Sequence, residues 1–165
     1  MNRRHFIGIG VGLAGVLALW RGASAQKTDK AAAAPGIQKV KLSVEEWQKR
    51  LTPAQFHVLR QEGTEMAGSS PLNGEKRKGT FVCAGCDLPL FRSETKYESG
   101  TGWPSFYTFI PGALETKTDF KLILPRTEYH CARCEGHQGH VFDDGPKPTG
   151  KRYCNNGVAL KFVPA

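Results

Sequence analysis

Hydrophobic positions along the chain fall into three textures. The first is an apolar run from Phe6 to Trp20 that follows a basic start containing Arg3-Arg4. The second places Trp47 and Leu51, then Phe56 and Leu59, behind two helix-start signals: Ser43 with Glu46, and Thr52-Pro53 with Gln55. A hydroxyl residue followed three positions on by an acid or amide is the reciprocal capping arrangement, and Pro suits the first helical position. Two short helices are predicted, the second ending near Gly63. The third texture follows a polar loop, "MAGSSPLNGEKRKGT", and consists of short apolar or aromatic runs punctuated by Gly, Pro, Asp and Asn. These runs are "TFVC", "LPLFRS", "WPSFYTF", "LETKT", "FKLILPRTEYHC", "GHVFDD" and "NNGVALKFV", each of strand length and closely spaced. Short antiparallel strands with helices confined to the N-terminal end predict an α+β, mainly β domain. Its core would be curved antiparallel sheets or a small barrel.

Length and composition narrow this picture without redirecting it. A chain of 165 residues supports one compact domain. Its 39% hydrophobic and 23% charged residues are ordinary for a globular protein, while 19 glycines and 10 prolines favour turns over long helices. Residues 1–25 read as an export signal that closes on Ala23-Ser24-Ala25, an A-x-A cleavage pattern. The apolar run falls short of the ~17–25 residues that span a bilayer. Arg3-Arg4 further matches the twin-arginine type, which exports proteins already folded. The expected destination is therefore periplasmic or otherwise extracytoplasmic, with only transient membrane contact. Residues 26–41, with an Ala run and a Pro-Gly pair, read as a flexible linker, which leaves 42–165 as the domain. Removing residues 1–25 takes away three arginines and no acids, so the formal charge falls from +8 to +5. With no basic block interleaved with aromatics, nucleic-acid binding is not expected.

Chemistry concentrates in the cysteines. Four of the five form two Cys-x-x-Cys pairs, Cys83/Cys86 and Cys131/Cys134, separated by 44 residues. That spacing lets a tight turn aim two thiolates at one ion, and two such turns complete a four-sulfur site of structural type, one zinc per chain. Redox pairs or disulfides are the competing readings, and export gives the second some weight. Cys154 is left over. A lone cysteine is often a buried, inert residue, but Arg152 would favour its thiolate and Asn156 can share its face of an extended strand. His137 and His140, shortly upstream, offer proton donors near neutral pH or, alternatively, metal ligands.

From Phe81 to Phe162 the chain resembles a methionine-R-sulfoxide reductase of the B type, through "CAGCDLPLF", "KYESGTGWPSF" and "RTEYHCARCEGHQGHVFDDGPKPTGKRYCNNGVALKF", and more weakly through "LRQEGTE" upstream. The resemblance implies zinc on Cys83, Cys86, Cys131 and Cys134, with Cys154 as the nucleophile that attacks the sulfoxide sulfur and becomes a sulfenic acid. It further implies Trp103 as the wall for the substrate methyl group and His140 as the partner of the sulfoxide oxygen. Asn156 would complete the catalytic group, and His137 and Arg152 the substrate-binding positions. Substrates would be oxidised proteins or peptides, repaired by a monomeric enzyme.

Two departures from the family pattern stand out. Thr101 occupies the place where many members carry a resolving cysteine, so the sulfenic acid is expected to be reduced by an external, thioredoxin-like thiol. Asn155 and Gly157 replace an aliphatic and a small hydroxyl residue. Two other functions fit parts of the pattern: a zinc-ribbon binding module in which Cys154 is merely packed, and a thiol–disulfide oxidoreductase that uses the paired cysteines.

Overall fold

The computed structural model describes residues 36–122 and 124–165. The signal expected over residues 1–25 and most of the linker lie outside the described residues. Both helix starts form as the capping pattern requires. Ser43 Oγ accepts from the Glu46 N–H (3.2 Å) while the Ser43 N–H donates to Glu46 Oε2 (2.7 Å), opening α1, Val44–Arg50. Thr52 and Gln55 repeat the exchange at 3.2 and 3.0 Å ahead of α2, Pro53–Gln61. Packing begins before Leu42, however. Ile37 and Val40 lie against the core, and the Val40 N–H donates to the Arg133 carbonyl (2.8 Å). The two apolar residues anchor the end of a stretch whose composition otherwise reads as linker.

Among the described residues nine strands follow: β1 Gly79–Cys83, β2 Pro89–Arg92, β3 Lys96–Tyr97, β4 Ser105–Phe106, β5 Leu114–Asp119, β6 Arg126–Cys131, β7 His137–Phe142, β8 Arg152–Asn155 and β9 Leu160–Pro164. They form two antiparallel sheets, one ordered β2-β1-β9 and the other β3-β4-β8-β7-β6-β5. The sheet alternative is therefore the one realised, and no barrel closes among the described residues. One expected strand is shorter than its apolar run. β5 and β6 pair from Leu114 opposite Cys131 to Asp119 opposite Arg126, so Phe120 and Leu124 fall outside both strands. Phe120 and Leu124, apolar enough for a strand, stand 76% exposed there.

Aromatic side chains join the two sheets. Phe81 and Phe91 of the smaller sheet meet Phe106 of the larger, Phe91 stacking on it at 4.1 Å and Phe81 edge-on at 5.0 Å. Tyr129 and Tyr153 complete the layer, edge-on to each other at 5.4 Å. Burying each such ring contributes about 1.5–3 kcal/mol, and the edge-to-face geometry adds to that.

The strand period then decides what β8 offers. Tyr153 packs against this layer and Asn155 is fully buried, so Cys154 between them points to the other face. Burying Asn155 without partners would be costly. It has them: the Tyr129 hydroxyl donates to Asn155 Oδ1 (2.9 Å), and Asn155 Nδ2 donates to the Asn156 carbonyl (2.8 Å) and towards Gln138 Oε1 (3.3 Å). Gly157 is explained by contact, since a Cβ there would lie 1.9 Å from Ser70 Oγ. Asn155 and Gly157 are thus both accommodated by the local packing. A Tyr129→Phe substitution keeps the ring and removes the donor, leaving Asn155 Oδ1 unpartnered. It should lower the unfolding free energy by about 1–3 kcal/mol, measurable as a lower midpoint with an unchanged slope in urea denaturation.

Candidate active site

Two turns of one design bring four sulfurs together. Cys83 ends β1 and Cys131 ends β6, and each Cys-x-x-Cys turns the chain into the next strand. In the first, the Asp87 N–H donates to the Cys83 carbonyl and the Cys83 N–H to the Leu88 carbonyl, both at 2.9 Å. In the second, Glu135 N–H to Cys131 and Cys131 N–H to Gly136 repeat the pattern at 2.9 and 3.0 Å. Asp87 and Glu135 both adopt the left-handed region, at φ 58° and 59°. Cys83 Sγ lies 3.6 Å from Cys134 Sγ, Cys86 Sγ lies 3.5 Å from Cys131 Sγ, and all four sulfurs fall within 4.8 Å of one another.

These separations are far beyond a disulfide bond of about 2.04 Å. They approach the edge of about 3.8 Å that bonds of about 2.3 Å define in a tetrahedral zinc–thiolate site. All five cysteines are free, and four converging thiols make a soft donor set suited to zinc or iron. Trp47 and Leu59, from the two helices, roof the cluster against Gly85 and Gly136. Arg60 Nη1 donates to the Cys134 carbonyl (2.8 Å) and Arg133 Nη1 to that of Cys86 (3.1 Å), fixing the turns.

Cys154 sits in the middle of the larger sheet, opposite Ser105 on β4 and His140 on β7. Residues directly opposite share a face, so β8 presents its thiol beside the His140 ring. Cys154, His140, Trp103 and Asn156 line one pocket of about 120 Å³, together with Thr64, Arg126, Gly139, Phe142 and Asn155. Gly139 is the close-approach position, since a Cβ there would strike the Cys154 carbonyl at 1.9 Å.

Glu65 organises the pocket's other side. Its carbonyl accepts from Trp103 Nε1 (3.2 Å) and its N–H donates to Asn156 Oδ1 (3.0 Å), while its carboxylate accepts from the Gly157 and Val158 N–H groups. Asn156 Nδ2 donates to the Gln138 carbonyl (3.0 Å), so the amide is held at both ends.

The other two expected site residues stand further back. Arg152 makes a paired contact with Asp144 (2.7 and 2.8 Å) and stacks on Phe142 at 4.4 Å. His137 is buried, its Nδ1 donating to Glu128 Oε1 (2.9 Å), and it lines a polar cavity with Lys117, Glu128 and His130. Its ring still lies 5.5 Å from that of His140, while its Nε2 has no partner. Asp119, Arg126, Glu128, Glu65 and Phe142 were not singled out by sequence reasoning. Each is an ordinary surface-type residue or aromatic in its own segment, and only the strand register or a long-range bond brings it here. "LRQEGTE", the weak upstream motif, held the one signal that could have found Glu65.

Burial pushes the Cys154 thiol up. The Arg152 side chain with its charge and the nearby Thr101 pull it down, and the balance stays above the ordinary value. The sign expected for Arg152 is therefore right, but desolvation outweighs it. Thr101 is itself held by Ser99 Oγ (2.8 Å), which also contacts Ser105 Oγ (2.8 Å).

Residues 51–164 match the family model described as the SelR domain. The chain is 48% identical over 148 residues to peptide methionine sulfoxide reductase B1, chloroplastic, of Arabidopsis thaliana, covering 89% of this chain and 73% of that protein. It is 53% identical over 125 residues to peptide methionine sulfoxide reductase MsrB of Leptospira interrogans, covering 75% and 95%. The protein of the same name from Pseudomonas putida is 50% identical over 129 residues, covering 78% and 97%.

Replacing Arg152 by Met removes the largest influence that lowers the Cys154 thiol and leaves the opposing charge of Asp144 in place. The thiol should then ionise at higher pH, so alkylation of Cys154 by iodoacetamide at neutral pH should slow while its rate at strongly alkaline pH is retained.

Proposed function

The chain belongs to the SelR domain family, and from that premise we propose that it is a peptide methionine-R-sulfoxide reductase working through Cys154. The observation that carries this reading is the single pocket shared by Cys154, Trp103, His140 and Asn156. At about 120 Å³ it is slightly smaller than a cavity of about 150 Å³ that admits benzene, a fitting size for a methyl sulfoxide head.

The Cys154 thiolate attacks the sulfoxide sulfur. As the sulfur–oxygen bond breaks, the oxygen becomes more basic, and a proton delivered from the histidine side of the pocket stabilises the transition state more than the ground state. Oxygen ends on Cys154 as a sulfenic acid, methionine leaves, the substrate sulfur is reduced and Cys154 is oxidised. With the methyl group against the Trp103 indole, oxygen toward His140 and sulfur facing Cys154, only one configuration at sulfur fits.

Regeneration needs two further thiol equivalents. The first forms a mixed disulfide with Cys154 and releases water, and the second frees Cys154 as the reductant is oxidised. Thr101 stands beside Cys154 where a resolving cysteine would lie, which supports an external donor such as a thioredoxin-like protein. The role is repair of oxidised proteins, and Arg3-Arg4 with the apolar run after it supports an extracytoplasmic setting reached by twin-arginine export. Cys83, Cys86, Cys131 and Cys134 would hold zinc. A saturated four-thiolate site supplies a structural clamp and offers no open position for chemistry.

A Cys154→Ser variant should lose turnover of the R diastereomer by at least about a thousandfold while keeping its fold. Mass spectrometry of the wild type after one turnover without reductant should find a single added oxygen on Cys154. Undiminished turnover of the R diastereomer in the variant would overturn the Cys154 mechanism. Stripping the metal with a strong chelator should release about one zinc per chain. It should also lower the thermal midpoint of the Cys154→Ser variant as much as that of the wild type, since the Cys154 sulfur is not one of the four in the cluster.

A further inference from the structure

Asp119 ends β5 and is buried against His140 and Arg126, two residues that line the Cys154 pocket. Its Oδ2 accepts from His140 Nε2 (2.7 Å) and from Arg126 Nη2 (2.6 Å), and its Oδ1 accepts from the Lys121 backbone N–H (2.8 Å). Three donors on one carboxylate leave it an acceptor only. The Lys121 N–H, His140 and Arg126 hold it well below the usual carboxylate range. The proton in the bond to His140 must therefore sit on Nε2.

That assignment has a chemical consequence. His140 lines the Cys154 pocket, yet its Nε2 is committed to Asp119. Nδ1 is the only ring nitrogen left to face a ligand. In the neutral ring Nδ1 is an acceptor, and it donates only when His140 is an imidazolium. A buried carboxylate favours that cation. The other charged or titratable groups around His140 are Arg126 and His137, which disfavour the cation, Glu128, its partner across β6, and Cys154, its partner on β8. A Cys154 thiolate would favour the cation as well.

We propose that Asp119, pinned by Arg126, is the positioning residue of the reaction: it fixes the Nε2–H tautomer of His140 and so makes Nδ1 the atom that hands the proton to the sulfoxide oxygen. This rests on the reductase reading above. The bookkeeping of the step is complete. His140 gives up one proton from Nδ1, Cys154 thiolate and sulfoxide become sulfenic acid and thioether, and His140 is left neutral until solvent reprotonates it. Arg126 serves twice, since its guanidinium holds Asp119 while its residue lines the same pocket.

Burial lowers the imidazole below its ordinary value and Asp119 opposes that shift. Removing the carboxylate therefore lowers it further. Activity that needs the imidazolium is lost as pH rises through this group, so in Asp119→Asn the falling limb of kcat against pH should move to lower pH. At neutral pH kcat should fall by at least about tenfold, within the ~10²–10⁴ that a positioned acid contributes, with KM little changed. Asp119→Glu, which keeps the charge, should restore part of the loss and return the limb towards its wild-type place. A role confined to packing would reduce activity without moving the limb, and that result would overturn the proposal. A second readout needs no variant and no turnover. Long-range 15N NMR of the wild type should show His140 protonated on Nε2 and bare on Nδ1 at alkaline pH; the opposite tautomer would sink the assignment even in an active enzyme. If the wild type fails to reduce the sulfoxide at all, the reductase reading falls, and the proposal resting on it falls too, even where NMR finds Nε2–H.

Discussion

Four sulfurs drawn within 4.8 Å of one another fix the distance between the two sheets at one end. Cys83 closes β1 of the smaller sheet and Cys131 closes β6 of the larger, so the cluster joins the β1–β2 hairpin to the β6–β7 hairpin. Each turn repeats the same backbone bonds and the same left-handed residue, and neither buries enough apolar surface to fold alone. A cation shared by both turns would supply what the small core lacks, because binding free energy at a site absent from the unfolded chain is folding free energy. The aromatic layer then holds the sheets together further along, where Phe91 stacks on Phe106.

β7 is the strand that leaves the second turn, and for that reason the clamp reaches the pocket. Gln138 points back, with Nε2 3.5 Å from Cys83 Sγ, while its carbonyl accepts from the Asn156 side chain and its Oε1 faces Asn155. Two residues later His140 stands opposite Cys154. The polar side chains flanking Cys154 are thus tied to the same residue that touches the sulfur cluster. A buried amide network of this kind is stabilising only when complete, which is why Tyr129 contributes its hydroxyl as well as its ring.

Legibility in the sequence followed the range of the interaction. Helix starts were readable because Ser43 with Glu46, and Thr52 with Gln55, satisfy each other within one turn. The sulfur cluster was readable because each half is local and the halves share a spacing. The resemblance supplied Cys154, Trp103 and His140, which the structure brings together. It did not supply Asp119, which reaches His140 across 21 residues, and touched Glu65, which reaches Asn156 across 91, only through the weak upstream motif. A carboxylate in a polar strand looks the same whether it faces water or a buried histidine. Phe120 and Leu124 misled in the opposite sense: their apolarity suits a strand, but the register of β5 against β6 had already turned the chain.

Reactivity at Cys154 is set by a contest in which burial prevails. Burial raises the thiol, whereas Arg152 and Thr101 lower it. Full dominance by the cation would give abundant but weak thiolate, because nucleophilicity falls along with basicity. A dry pocket without donors would keep the sulfur protonated and inert. Asp144 accepts two hydrogen bonds from Arg152 and opposes its effect on the thiol. In the proposed reaction negative charge leaves sulfur as oxygen takes up a proton, so the raised thiol is the better attacking group and the cost in ionised fraction is what Arg152 and Thr101 reduce. Thr101 does this from the position a second thiol could have held, with a hydroxyl that favours the thiolate but cannot form a disulfide. In the proposed reaction the oxidised sulfur would then need a partner from outside.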